Sequence, residues 1–190
     1  MHLIIGLGNP GSRFARTRHN FGYWAVDALA RAWKISFGPG KGDYLAAVSS
    51  GSQLALIKPT GGMNNSGYPV QDVVAFYKSS IQDVLVIFDD IDLPLGTLRF
   101  RPRGGAGGHK GVVSLIMQLG TENFPRLRLG IATDSPMRPS EKYVLSPFRR
   151  QDEAVVARVL EETVAGIDYY LENGCDKTLR RFHTRASESL

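Results

Sequence analysis

Val84–Phe88 constrains the fold more than any other stretch: five consecutive apolar residues stop abruptly at Asp89-Asp90-Ile91-Asp92. A short apolar run with such an edge reads as a buried strand. Leu3–Leu7 repeats the pattern and runs into Gly8–Arg18, a loop rich in Gly, Pro, Asn and Arg. From Asn20 onward Phe21, Trp24, Ala25, Ala28, Leu29 and Ala32 fall at helical spacing. Gly38–Gly42 breaks the chain. Tyr44–Val48 and Leu54–Ile57 then read as strands joined by a turn at Ser50-Gly51. Lys58–Gly67 is a second polar, glycine-rich loop, followed by a helix with Val70, Val73, Val74 and Tyr77 on one face. Leu98–Arg101 is a predicted strand, Pro102–Gly108 a glycine-rich loop, Val112–Leu119 a helix and Leu127–Ala132 a strand. Glu153–Leu171 is an amphipathic helix that stops at Asn173-Gly174.

Strands alternating with helices predict an α/β fold: one domain over residues 1–190 with a mostly buried sheet. Ligands of such sheets sit beyond the carboxyl ends of strands. The loop after Leu7, Asp89 after Phe88 and the loop after Ile57 are the candidates. No internal repeat or domain linker is visible.

The single cysteine, Cys175, rules out an internal disulfide and a cysteine-based zinc cluster, and reads as a passive thiol. The opening Met-His-Leu-Ile-Ile-Gly run is too short for a signal peptide or a membrane span, which predicts a cytoplasmic protein. The tail after about residue 184 is expected to be flexible. The net charge of +5 says little by itself. Its distribution says more. Arg99, Arg101, Arg103 and Lys110 follow one another with no acid between them, and Lys177, Arg180, Arg181, His183 and Arg185 form a second basic cluster.

Gly6, Gly8 and Gly11 satisfy a dinucleotide-binding pattern, but that motif needs a helix starting inside the glycines. Here Asn9-Pro10-Gly11 is a turn signal and the helical pattern begins near residue 20. The loop positions gather Asn9, His19, Asn64, Asp89, His109 and Lys110. No serine sits in a nucleophile elbow, so hydrolysis here would need water and a base. Histidine serves as base near neutral pH, a carboxylate fixes its tautomer, and asparagine amides can donate to a developing oxyanion. The parts for ester or amide hydrolysis are present. Asp89-Asp90-Ile91-Asp92 is equally readable as a solvated turn or a Mg²⁺ site.

Gly6-Leu7-Gly8-Asn9-Pro10-Gly11, Thr17-Arg18-His19-Asn20, Lys58-Pro59-Thr60 with Met63-Asn64-Asn65-Ser66-Gly67, Asp89-Asp90-Ile91-Asp92-Leu93-Pro94 with Gly96, Gly104–His109 and Phe124–Ile131 follow in that order. Through these stretches, over nearly its whole length, the chain resembles the bacterial-type peptidyl-tRNA hydrolase family. The resemblance implies a mixed sheet flanked by helices, a monomer, and no cofactor or metal. It implies that His19 is the base acting on water, that Asp89 holds and polarises it, and that Asn9 and Asn64 position the ester and the peptide backbone. Phe14, Met63 and Lys110 then fall among the substrate-binding residues. Arg101 and Arg128, with Arg99 near them, become a phosphate clamp for the acceptor end of tRNA. Three positions depart from the family pattern. Lys110 follows Gly-Gly-His where Asn is usual, Gly62 precedes Met63 where an aromatic is favoured, and Phe14 stands where Tyr is common. A lysine only donates hydrogen bonds, and its charge near His19 would favour the neutral imidazole. Two rival readings stay open: a non-catalytic RNA-binding relative, and a hydrolase of another ester or amide.

Overall fold

A computed structural model describes residues 1–49, 51, 53–135, 137 and 139–187, with side chains described through Phe182. Its centre is one seven-stranded sheet: β1 (His2–Gly6), β2 (Gly38–Pro39), β3 (Tyr44–Val48), β4 (Leu54–Pro59), β5 (Val84–Pro94), β6 (Leu98–Arg101) and β7 (Arg126–Ala132). The strand order is β2-β3-β4-β1-β5-β7-β6. The inner strands β4, β1, β5 and β7 run parallel, whereas β2, β3 and β6 are antiparallel to their neighbours. The sheet is therefore mixed, and the fold is α/β. The short β2 lies within the stretch expected only to break the chain. Ser50, in the expected hairpin turn, lies outside the described residues.

The helices are α1 (Phe21–Ala32), α2 (Gly67–Tyr77), α3 (Lys110–Leu119), α4 (Ser140–Val144) and α5 (Glu153–Ser187). Side chains of a strand point alternately to opposite faces. Ile4, Leu85 and Ile87 accordingly join one core with Phe21 and Leu29 of α1 and Val159 and Ile167 of α5. Leu3, Ile5, Val84 and Val86 join the other core with Val70 and Val73 of α2 and Val112 and Leu115 of α3. Both faces of the inner strands are covered, as continuous apolar runs require.

Two differences from expectation matter. Strand β5 does not end at Phe88 but continues to Pro94, paired there with β7 alone. Its neighbour β1 stops opposite Ile87, so Asp89 still stands just past the end of a central strand. Helix α5 does break at Gly174, as expected, but helical structure resumes after it. Gly174 has φ 76° and ψ −179°, a conformation kept almost entirely to glycine. The resumed segment folds back: Phe182 stacks on Phe100 at 6.4 Å and lies against Gly166. Cys175, just after the kink, packs against this core, and burial followed by the Asp176 charge pushes its thiol up.

Two glycines of the dinucleotide-like pattern, Gly6 and Gly8, serve helix–strand contact, whereas Gly11 takes a positive φ of 97° in open space. A Cβ on Gly6 would strike the backbone of Gly22 in α1, and one on Gly8 would strike the Tyr23 ring. Helix α1 begins ten residues after Gly11 rather than inside the glycine run, and its first turn packs back on that run, the Tyr23 N–H donating to the Leu7 carbonyl at 3.1 Å. Among the described residues, no helix is long and apolar enough to cross a membrane.

Candidate active site

Asp89 lies at the centre of the site, 2% exposed. His19 sits in a short 3₁₀ turn, Arg18–Asn20, just before α1. Its Nδ1 is 3.0 Å from each carboxylate oxygen of Asp89. A second histidine completes the group: Nε2 of His109 lies 3.2 Å from Asp89 Oδ1. The tautomers follow from the partners. His109 caps α3, its Nδ1 accepting from the Val112 N–H at 3.3 Å, so its proton is on Nε2 and is donated to Asp89. His19 donates from Nδ1, which leaves Nε2 as an acceptor; no partner holds that nitrogen among the described residues. Burial by itself would raise the Asp89 pKa, but His19 and His109 together hold the carboxyl well below the usual carboxylate range. The carboxylate is therefore ionised and fully engaged.

The donor atoms of His19, Asp89 and His109 lie within 4.8 Å of one another, close enough to surround a metal ion. As the chain stands, each nitrogen facing Asp89 is placed to donate to the carboxylate, so the three side chains form a hydrogen-bonded triad. The acidic run does not converge. Asp90, on the opposite face of β5, accepts from Nε of Arg128 and from the Asp92 N–H.

The triad opens into a cleft of about 660 Å³. Asn9 lies on its wall, tightly held: its N–H donates to Asn20 Oδ1 at 2.8 Å, Asn20 Nδ2 donates to its carbonyl at 2.9 Å, and its own Oδ1 accepts from the Met63 N–H at 2.8 Å. With Oδ1 engaged, Asn9 presents its Nδ2 donor to the cleft. Asn64 is exposed at the rim in the turn Met63–Asn65. Met63 lines the cleft but is almost wholly buried against α3, so it is as much core as contact. Phe14 forms part of the opposite wall, with Arg13 over its ring at 4.3 Å. Lys110 stands at the mouth, ion-paired with Glu141 of α4. Its expected influence on His19 is thereby balanced by an opposite charge, and the pair bridges the two sides of the cleft.

The predicted arginine cluster does assemble. On the antiparallel pair β6–β7, Arg99 lies opposite Arg128 and Arg101 opposite Arg126. Burial first, then the like charges of Arg99 and Arg128, pull the Arg101 pKa down, which marks the three as neighbours. Two points differ from expectation. Arg128 gives part of its charge to Asp90. Arg126, outside the expected clamp, is buried and held by the carbonyls of Gly105 and Glu122 at 3.0 Å. It fixes the glycine-rich loop that delivers His109. In the second basic cluster Arg181 lies over the Tyr169 ring at 4.4 Å. The side chains of His183 and Arg185 lie outside what is described, as do residues 188–190 of the tail expected to be flexible, whose residues 185–187 belong to α5.

The model of the peptidyl-tRNA hydrolase family matches residues 3–189. The chain belongs to the peptidyl-tRNA hydrolase family. The peptidyl-tRNA hydrolase of Synechococcus sp. (strain JA-3-3Ab) is 43% identical over 186 residues, covering 96% of this chain and 83% of that protein. The peptidyl-tRNA hydrolase of Desulfitobacterium hafniense is 39% identical, covering 96% and 100%. The crystal structure of the Acinetobacter baumannii peptidyl-tRNA hydrolase superposes with a TM-score of 0.88 at 27% identity, covering 96% of this chain and 94% of the other. The family fold thus accounts for the mixed sheet. Within this hydrolase-family chain, sequence reasoning assigns no role to His109, Asn20, Arg126 or Glu141. His109 carries a local signal, a glycine run ending in a residue that starts a helix. The other three act through tertiary partners that no local pattern reports.

Proposed function

We propose that the chain hydrolyses the ester linking a peptide to the 3′-terminal ribose of tRNA, using water activated by His19. The single observation that carries this is the carboxylate of Asp89 bonded to Nδ1 of His19, which leaves Nε2 for the cleft. In this mechanism Nε2 takes a proton from water as the oxygen attacks the ester carbonyl. Asp89 steadies the imidazolium that forms. The oxyanion accepts from Nδ2 of Asn9, an amide already fixed by its bond to Met63. The intermediate collapses by expelling the ribose oxygen, which receives the proton from His19. The products are a free peptide carboxylate and tRNA. Asn64 at the rim is suited to hold the peptide backbone, since an amide both donates and accepts.

Arg99, Arg101 and Arg128 take the phosphates of the acceptor end. Such contacts give affinity without reading sequence, as an enzyme acting on every tRNA requires. In this reading the enzyme acts as a monomer, in the cytoplasm where its substrate arises. Asp89→Asn should lower kcat by about 10²- to 10⁴-fold while KM changes little. An unchanged kcat would remove the pair from the mechanism. Inhibition by deacylated tRNA separates this activity from hydrolysis of an unrelated ester.

A further inference from the structure

A second groove, of about 290 Å³, adjoins the catalytic cleft and shares Asn64 and Lys110 with it. Its origin lies in one close helix contact. Gly67 at the start of α2 meets α3 so tightly that a Cβ there would fall 2.1 Å from the Ser114 carbonyl oxygen, and its N–H donates to Ser114 Oγ at 2.9 Å. The helix surfaces splay apart above that contact. Tyr68 of α2 forms one wall, and Val113 and Met117, one helical turn apart on α3, form the other. These are large apolar side chains left in water: Tyr68 is 57% exposed and Met117 73%. Amides from Asn64, Asn65 and Gln118 lie among them.

We propose that this groove binds the part of the peptide upstream of the esterified residue, so that a nascent chain runs from the catalytic cleft past Asn64 and Lys110 onto the α2–α3 surface. The proposal rests on the reading of the cleft given above. The occupant follows from continuity and chemistry. A peptide anchored by its last residue at His19 must leave the cleft somewhere, and this groove opens directly from it. Its surface suits peptides of any sequence. Methionine and tyrosine adapt to varied apolar side chains, while amides serve any backbone because they donate and accept.

The test compares two substrates on one tRNA: an N-acetylated aminoacyl-tRNA, and the same residue preceded by a longer N-acetylated apolar peptide. The wild type should show a KM about tenfold lower for the longer substrate, of the order that added apolar contact gives. Tyr68→Ser and Met117→Ser should each erase most of that difference and leave cleavage of the single-residue substrate unchanged. Equal KM values for both substrates in the wild type would overturn the proposal, as would variants that weaken both substrates alike. Failure to cleave even the single-residue substrate would instead overturn the reading of the cleft, and the groove with it.

Discussion

Asp89 couples the chemistry of the cleft to the stability of the chain, because its depressed pKa is a property of the folded state alone. An ordinary unfolded aspartate titrates near pH 3.9, whereas the folded one resists protonation to lower pH. Its stabilisation is therefore complete above about pH 5 and is lost as acid drives pH below about 4. The gap in urea midpoint between wild type and Asp89→Asn should narrow from about pH 4.5 to about pH 2.5. A gap that does not change with pH would contradict the assignment. Asn20 carries a second cost. Asn20→Ala leaves the amide N–H and carbonyl of Asn9 unmatched, and should destabilise by about 1–3 kcal/mol in urea unfolding and lower kcat as Asn9 loosens. Much of this residue chemistry is legible in the sequence. Asp89 is marked by its place after an apolar strand, and His19, Asn9 and Asn64 by lying in polar loops after strands. Partners are another matter. That Asp89 serves two histidines depends on α3 delivering His109 from the far side, and only tertiary structure shows it. Asn20 is visible as a neighbour of His19, but not as the clamp on Asn9.

Elements are legible where periodicity is strong. β1, β3, β6, α1 and the first part of α5 fall close to where apolar spacing puts them. The continuation of β5 to Pro94 is hidden because acids interrupt the apolar run; it is held by pairing with β7, irregular between Asp90 and Pro94, and by the burial of Asp89, Asp90 and Leu93. The stop at Asn173-Gly174 is readable, but the resumed helix is not, because its anchor is the contact of Phe182 with Gly166 and Phe100. Gly174→Ala should expose this dependence. An alanine is strained at φ 76° and ψ −179°, so about 1–3 kcal/mol of stability should go. The packing of Phe182 should loosen with it, measurable as a lower Tm and faster amide exchange after residue 174. Unaltered exchange there would show that the kink is not needed for the fold-back.

For the molecule as a whole, charge and catalysis divide the surface between them. The net charge of +5 says little, and strand pairing is what turns Arg99, Arg101 and Arg128 into one cluster at the edge of the sheet. Arg101→Glu should weaken tRNA binding and flatten its dependence on salt, the slope of log K against log salt falling by about one for each phosphate no longer neutralised. The fold should be unchanged, as judged by Tm. A KM that does not vary with salt in either protein would exclude the cluster from binding. The most direct test of the hydrolase mechanism is cleavage of an N-acetylated aminoacyl-tRNA, beside the same tRNA with a free amino group, by wild type and by His19→Ala. The wild type should release the blocked aminoacyl group, and His19→Ala, still folded and still binding tRNA, should not. Tight binding of tRNA without cleavage by the wild type would contradict the mechanism, and would make the chain an RNA-binding relative of the enzymes it resembles.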